Sequence, residues 1–84
     1  MRVFKIETDG KKYVFNLVKV SLYDSRNNGY VLETDNAASL AVLKEGQVIK
    51  RLDIFDNSEK VVTSLYVKEI KGNILTLLHP YHMK

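Results

Sequence analysis

"KYVFNLVKVSLY", residues Lys12 to Tyr23, sets Tyr13, Phe15 and Leu17 on one face of an extended strand and then changes phase, so that Val18, Val20 and Leu22 become the inward set. Alternating polarity is the mark of a half-buried strand. A change of face part-way along it predicts a bulge, or a corner where a barrel strand passes from one sheet to the next. A small barrel is therefore the expected fold.

Outward from this stretch, short alternating runs recur, broken by turn signals at intervals of roughly ten residues, as in small all-β sandwiches and barrels. The pattern predicts six strands: Arg2–Thr8, Lys12–Tyr23, Gly29–Glu33, Gln47–Phe55, Lys60–Ile70 and Asn73–Leu78. Asp9-Gly10 supplies the positive-φ turn of a tight hairpin, and Asp56-Asn57-Ser58 and Lys71-Gly72-Asn73 join the last three strands. Asp35–Gly46, "DNAASLAVLKEG", has two readings. One is a short helical turn near 36–45, capped by Asn36 and stopped by Gly46; the other is an irregular crossover whose Leu40, Val42 and Leu43 plug one end of the barrel. Pro80 marks where regular structure should end. The expected architecture is thus all-β, a six-stranded antiparallel barrel forming one domain over residues 1–84.

Composition fits this size. With 84 residues and 45% hydrophobic content the chain can build a single modest core. It contains no Cys, so neither disulfides nor a thiolate zinc site can supplement that core, and a reducing cytoplasm suits it. The opening Met1-Arg2-Val3-Phe4-Lys5 enters alternation directly, without a signal-peptide or membrane-spanning run, and reads as soluble. Thirteen Lys and Arg against ten Asp and Glu leave a net charge of +3, a mild bias toward anionic partners.

Catalysis is not expected. Ser21, Ser25, Ser39, Ser58 and Ser64 have no base placed by any motif, and the only His residues, His79 and His82, sit in the tail "HPYHMK". Their H-x-x-H spacing encloses Pro80 and lacks a carboxylate, so a solvated tail is expected rather than a metal site, and no cofactor is implied. Tyr13, Tyr23, Tyr30, Tyr66 and Tyr81 could stack on bases, but in a small β domain they are expected to close the edges of the core. Lys11-Lys12, Lys68 and Lys71 read as solvated positions.

The most distinctive stretch is "YDSRNNGYVLETD", Tyr23 to Asp35. Its Asp24-to-Gly29 loop offers exposed acceptors and backbone N–H groups, as an anion or nucleobase site needs. The competing reading is a hairpin connection in which Asn27-Asn28-Gly29 supply left-handed conformations.

Taken with "LKEGQVIKRLDIF" and "KVVTSLYVKEIKG", this stretch resembles a PilZ domain, a six-stranded β-barrel family many of whose members bind the bacterial second messenger cyclic di-GMP. The resemblance covers most of the chain; Leu43-x-x-Gly46-Gln47-x-Ile49 after the Asp-to-Gly loop is its most suggestive element. Of the family's Asp-x-Ser-x-x-Gly motif, Asp24 and Gly29 stand at the matching separation, while Arg26 takes the Ser position and Ser25 lies one place early. A carboxylate at Asp24 could accept from the N1 and N2 donors of guanine. The family's Arg-x-x-x-Arg pair is replaced by Arg2 and Lys5 at a different spacing, and Lys lacks the planar fork that grips phosphate and guanine.

The resemblance therefore implies a degenerate, non-catalytic regulatory domain with weak or absent cyclic di-GMP binding, acting as a protein–protein adaptor in signalling. Its working surface would be Arg2, Lys5, Asp24, Ser25, Arg26, Asn28 and Gly29. Asp24 would be the base acceptor, Arg26, Arg2 and Lys5 the phosphate partners, and Gly29 the turn residue permitting close approach. On that view Asp24→Ala removes nucleotide binding and leaves the melting temperature nearly unchanged. A rival class is an Sm-like RNA-binding barrel. "VKVSLYDSRNNGYVLETDNAASL" resembles the first Sm motif and Lys71-Gly72-Asn73 the second, although Ser39 stands where Asn is usual and the chain opens as a strand, not a helix. A third class is an interaction domain with no small ligand.

Overall fold

A computed structural model of the chain describes residues 2–80. Asp9 and Gly10 both adopt left-handed φ values, 53° and 75°, so a tight turn joins β1 (Val3–Thr8) to β2 (Lys11–Asn16) with Thr8 opposite Lys11. There follow β3 (Lys19–Leu22), β4 (Gly29–Glu33), a 3₁₀ helix (Ala37–Val42), β5 (Val48–Phe55), β6 (Glu59–Lys71) and β7 (Ile74–Leu78). The seven strands form one antiparallel sheet in the order β2-β1-β5-β6-β7-β4-β3.

All-β architecture is as expected, but the strand count is seven rather than six. The difference lies in Lys12–Tyr23, which is two strands. Leu17 N donates to Arg2 O at 3.0 Å, on the β1 side, whereas Val18 N donates to Glu33 O at 2.8 Å, on the β4 side. The chain thus changes partner between adjacent residues, at the point where the hydrophobic phase shifts. β2 and β3 are the two edges of the sheet, and they are consecutive in the chain.

Phe15 and Leu17 are buried and Tyr13 half-buried, as the first phase predicts. The second phase is corrected: only Val20 leans on the core, while Val18 and Leu22 are 43% and 49% exposed, and among the described residues β3 is an edge of the sheet. Elsewhere the core is dense. Phe4, Ile6, Leu32, Ile49, Leu52, Leu65, Val67, Leu75 and Leu77 are fully buried, and the rings of Phe4 and Phe15 stack with centroids 4.9 Å apart.

Both readings of Asp35–Gly46 hold in part. The Asn36 side chain caps the 3₁₀ helix, its Oδ1 accepting from Ala38 N at 3.1 Å, and Leu40 and Leu43 are buried as plugs. Val42, expected to plug as well, is 46% exposed. The Leu43-to-Ile49 motif has a structural explanation. Leu43 and Ile49 enter the core, and Gly46 takes a φ of 88°. Gln47 links two segments, its Oε1 accepting from Lys44 N at 3.0 Å and its Nε2 donating to Thr8 Oγ1 at 2.9 Å. Thr8 Oγ1 in turn donates to Val48 O at 2.7 Å. This chain of bonds supplies partners for polar groups at the buried end of β1.

Candidate functional site

The Asp24-to-Gly29 loop is closed by its own carboxylate. Tyr23 N donates to Gly29 O at 2.8 Å, so β3 and β4 stay paired up to the loop. Within it, Asp24 Oδ1 accepts from the N–H groups of Arg26 and Asn28, both at 3.1 Å, and Oδ2 accepts from Asn28 Nδ2 at 2.7 Å. Asn27 takes the left-handed φ of 57° that the reversal requires, and Asn28 O accepts from His79 N at 2.9 Å. An Asp whose oxygens bond the backbone two and four residues ahead is a turn-forming residue.

Gly29, expected to be a turn residue admitting a ligand, is neither in the turn nor in left-handed backbone: it is the first residue of β4. A methyl group there would strike the Leu77 carbonyl oxygen and lie 2.6 Å from Leu78 Cδ2. The partner that comes close is strand β7, not a ligand. Ser25 and Arg26 are exposed on the loop.

Arg2 and Lys5 sit elsewhere. Arg2 Nε donates to Asp56 Oδ1 at 2.7 Å and Nη1 to Val18 O at 2.9 Å, which ties the β2–β3 junction to the turn between β5 and β6. Val18 and the loop lie at opposite ends of β3, about 13 Å apart at the usual rise of a strand. Lys5 projects from the outer face of β1, its Nζ 5.3 Å from the centroid of Phe55. The residues proposed to share one ligand are thus distributed over the loop, the junction and the outer face. On that outer face Asp53 accepts from Arg51 Nε at 2.7 Å, and this hydrogen bond, with the charge of the same carboxylate, raises the Arg51 pKa further above its ordinary value.

Two other depressions gather side chains that the sequence had not grouped. One, of about 240 Å³, lies beside β3 and is lined by Val20, Ser21, Leu22, Tyr30, Ile54, Asp56, Ser58 and Lys60. The Lys60 Nζ stands 5.2 Å from the centroid of the buried Tyr30 ring. The other, of about 680 Å³, lies at the β1–β2 hairpin end, where Lys11, Lys44 and Lys50 surround Tyr13, Val42 and Val48 with Asp9 and Glu45 at its margin. The only sequence signal for either was the second apolar phase, Val18, Val20 and Leu22, which alternation alone turns inward. Lys11 lies more than thirty residues from Lys44 and Lys50 and meets them only through the fold.

Among the described residues no cluster of His and carboxylates could hold a metal ion, and no helix is long and apolar enough to cross a membrane. His82 and Tyr81 lie outside the described residues. Tyr30 and Tyr66 are buried, while Tyr23 is 42% exposed. Compared with known proteins, the chain matches no family model, no curated sequence and no solved structure.

The loop geometry revises one expectation. Removing the Asp24 carboxylate takes away the acceptor of two backbone N–H groups and of the Asn28 side-chain amide. Asp24→Ala is therefore expected to lower stability by about 1–2 kcal/mol, against no more than about 0.5 kcal/mol for the exposed Ser25→Ala. Thermal melting of both variants measures the difference; equal midpoints would return Asp24 to the role of an uncommitted acceptor.

Proposed function

We propose that the protein is a non-catalytic, PilZ-like β-barrel adaptor of the cytoplasm that binds cyclic di-GMP weakly or not at all. The single observation that carries this reading is that the two groups best suited to hold the nucleotide are already used by the fold. The Asp24 carboxylate closes its own loop, and the Arg2 guanidinium joins Asp56 to Val18 O. Freeing them would cost the hydrogen bonds that they make now. The barrel reading is supported by the junction at Leu17-Val18, which bonds on the β1 side of the sheet through Leu17 and on the β4 side through Val18.

Calorimetric titration with cyclic di-GMP tests the proposal. No heat beyond dilution at micromolar protein is the expected result, and binding at micromolar affinity or tighter overturns it.

One observation favours a second reading, an RNA-binding barrel of Sm-like type: the cleft bearing Lys11, Lys44 and Lys50 beside Tyr13. Three phosphate contacts would give a logarithmic salt slope of about −2 on single strands. Against the Sm resemblance, the Asn73 Nδ2 donates to Thr34 O at 2.9 Å and so serves the turn.

A further inference from the structure

The open side of β3 faces a cleft with a definite chemistry. In an antiparallel ladder hydrogen-bonded and non-bonded pairs alternate. Because Tyr23 N bonds Gly29 O, the N–H and C=O groups of Val20 and Leu22 point away from β4, toward the side where, among the described residues, the sheet has no further strand. Just before β3 the Val18 carbonyl accepts from Arg2, whose Nε donates to Asp56 on the cleft wall. The floor is apolar, made by Val20, Leu22, Tyr30 and Ile54.

We propose that this cleft is a docking site for an extended, acidic segment of a partner protein, which adds to β3 as a further strand; the proposal rests on the adaptor reading and names the surface through which it acts. The cleft is small, about 240 Å³ against the roughly 300–1,000 Å³ of typical ligand sites, and suits one or two side chains of an extended chain. Charge decides the partner's sign. Asp56 is neutralised by Arg2, whereas Lys60 is exposed, and among the described residues no carboxylate lies within ion-pair distance of it. Its ammonium lies over the Tyr30 ring and is open to a carboxylate arriving from outside. Exposed Val18, Leu22 and Tyr23 extend the apolar surface along the same segment. An uncovered edge of this kind templates strand addition, with backbone bonds supplying affinity and alternate side chains supplying choice.

The test uses the isotope-labelled protein and a capped eight-residue peptide of alternating valine and glutamate, followed by amide shifts and amide exchange. Shifts centred on Val20, Leu22, Tyr30 and Lys60, with slowed exchange at Val20 and Leu22, are expected. Lys60→Glu, whose fold is verified by an unchanged melting temperature, is expected to weaken binding by about tenfold or more. Silence at millimolar peptide, shifts centred on Lys11, Lys44 and Lys50, or equal binding of a valine–lysine peptide would each overturn the proposal. So would a dimer seen by light scattering that occupies β3 with a second copy. Cyclic di-GMP added to a separate sample keeps the two readings apart: shifts at Asp24–Gly29 would remove the adaptor reading, whereas silence toward both probes removes only the docking site.

Discussion

Gly29→Ala is expected to destabilise the protein by about 3 kcal/mol, which in a domain of this size lowers the melting temperature by roughly 12–24 °C. The added methyl would meet the Leu77 carbonyl oxygen, the Leu78 side chain and the Leu78 Cα, two of which belong to backbone that cannot rotate away. Relief would require β4 and β7 to separate along Gly29↔Leu78, one end of a pairing on which β4 and β3 both depend. Gly72→Ala is the matched control. Gly72 has a φ of 60° and no atom within 4 Å of the place an added methyl would take, so only backbone strain of about 1–2 kcal/mol applies. If the two substitutions cost the same, the close approach of β7 is not what fixes glycine at position 29.

The second large effect is at Phe4. Phe4→Ala is expected to cost about 3–5 kcal/mol, a substantial share of the roughly 4–13 kcal/mol available to a chain of 84 residues. Phe4 is fully buried, lies directly opposite Phe15 in the ladder and stacks on it at an interplanar angle of 21°. Among the described residues β2 pairs only with β1 and Phe15 is its one buried side chain, so this ring pair is its main attachment to the core. Hydrogen exchange should show the amides of β2 losing protection well beyond those of β6. A double-mutant cycle with Phe15→Ala should return a coupling of about 0.5–1.5 kcal/mol beyond simple burial. Additive losses would mean that the two rings fill the core independently.

Much of the fold was legible because local rules and packing agree. Gly29–Glu33 occupies the span that its alternation marks out, and Asp9-Gly10 makes the turn its chemistry favours. The phase change within Lys12–Tyr23 located the change of pairing partner, yet it could not say which residues beyond it are covered. Val18 and Leu22 look like core residues, but cover depends on a neighbouring strand, and strand order is a long-range property. The same limit applies to the site. Asp24 and Gly29 stood at a suggestive separation, but spacing does not reveal that the carboxylate bonds its own loop or that the glycine faces β7. Lys60 beside Leu22 and Tyr30 was invisible because those residues are brought together only across the fold.

The direct link between β2 and β3 bears on assembly. Three pieces of this sheet are local: the β1–β2 hairpin, the β3–β4 hairpin and the β5–β6–β7 meander. Two seams, β1 with β5 and β4 with β7, join sequence-distant partners and carry the loop-closure cost that slows folding. Because Leu17 and Val18 tether the hairpins to each other, docking of either one on the meander holds the other within a few residues' reach of the opposite flank. The second seam is thereby turned from a free search into a tethered one, with the raised effective concentration that a short linker confers.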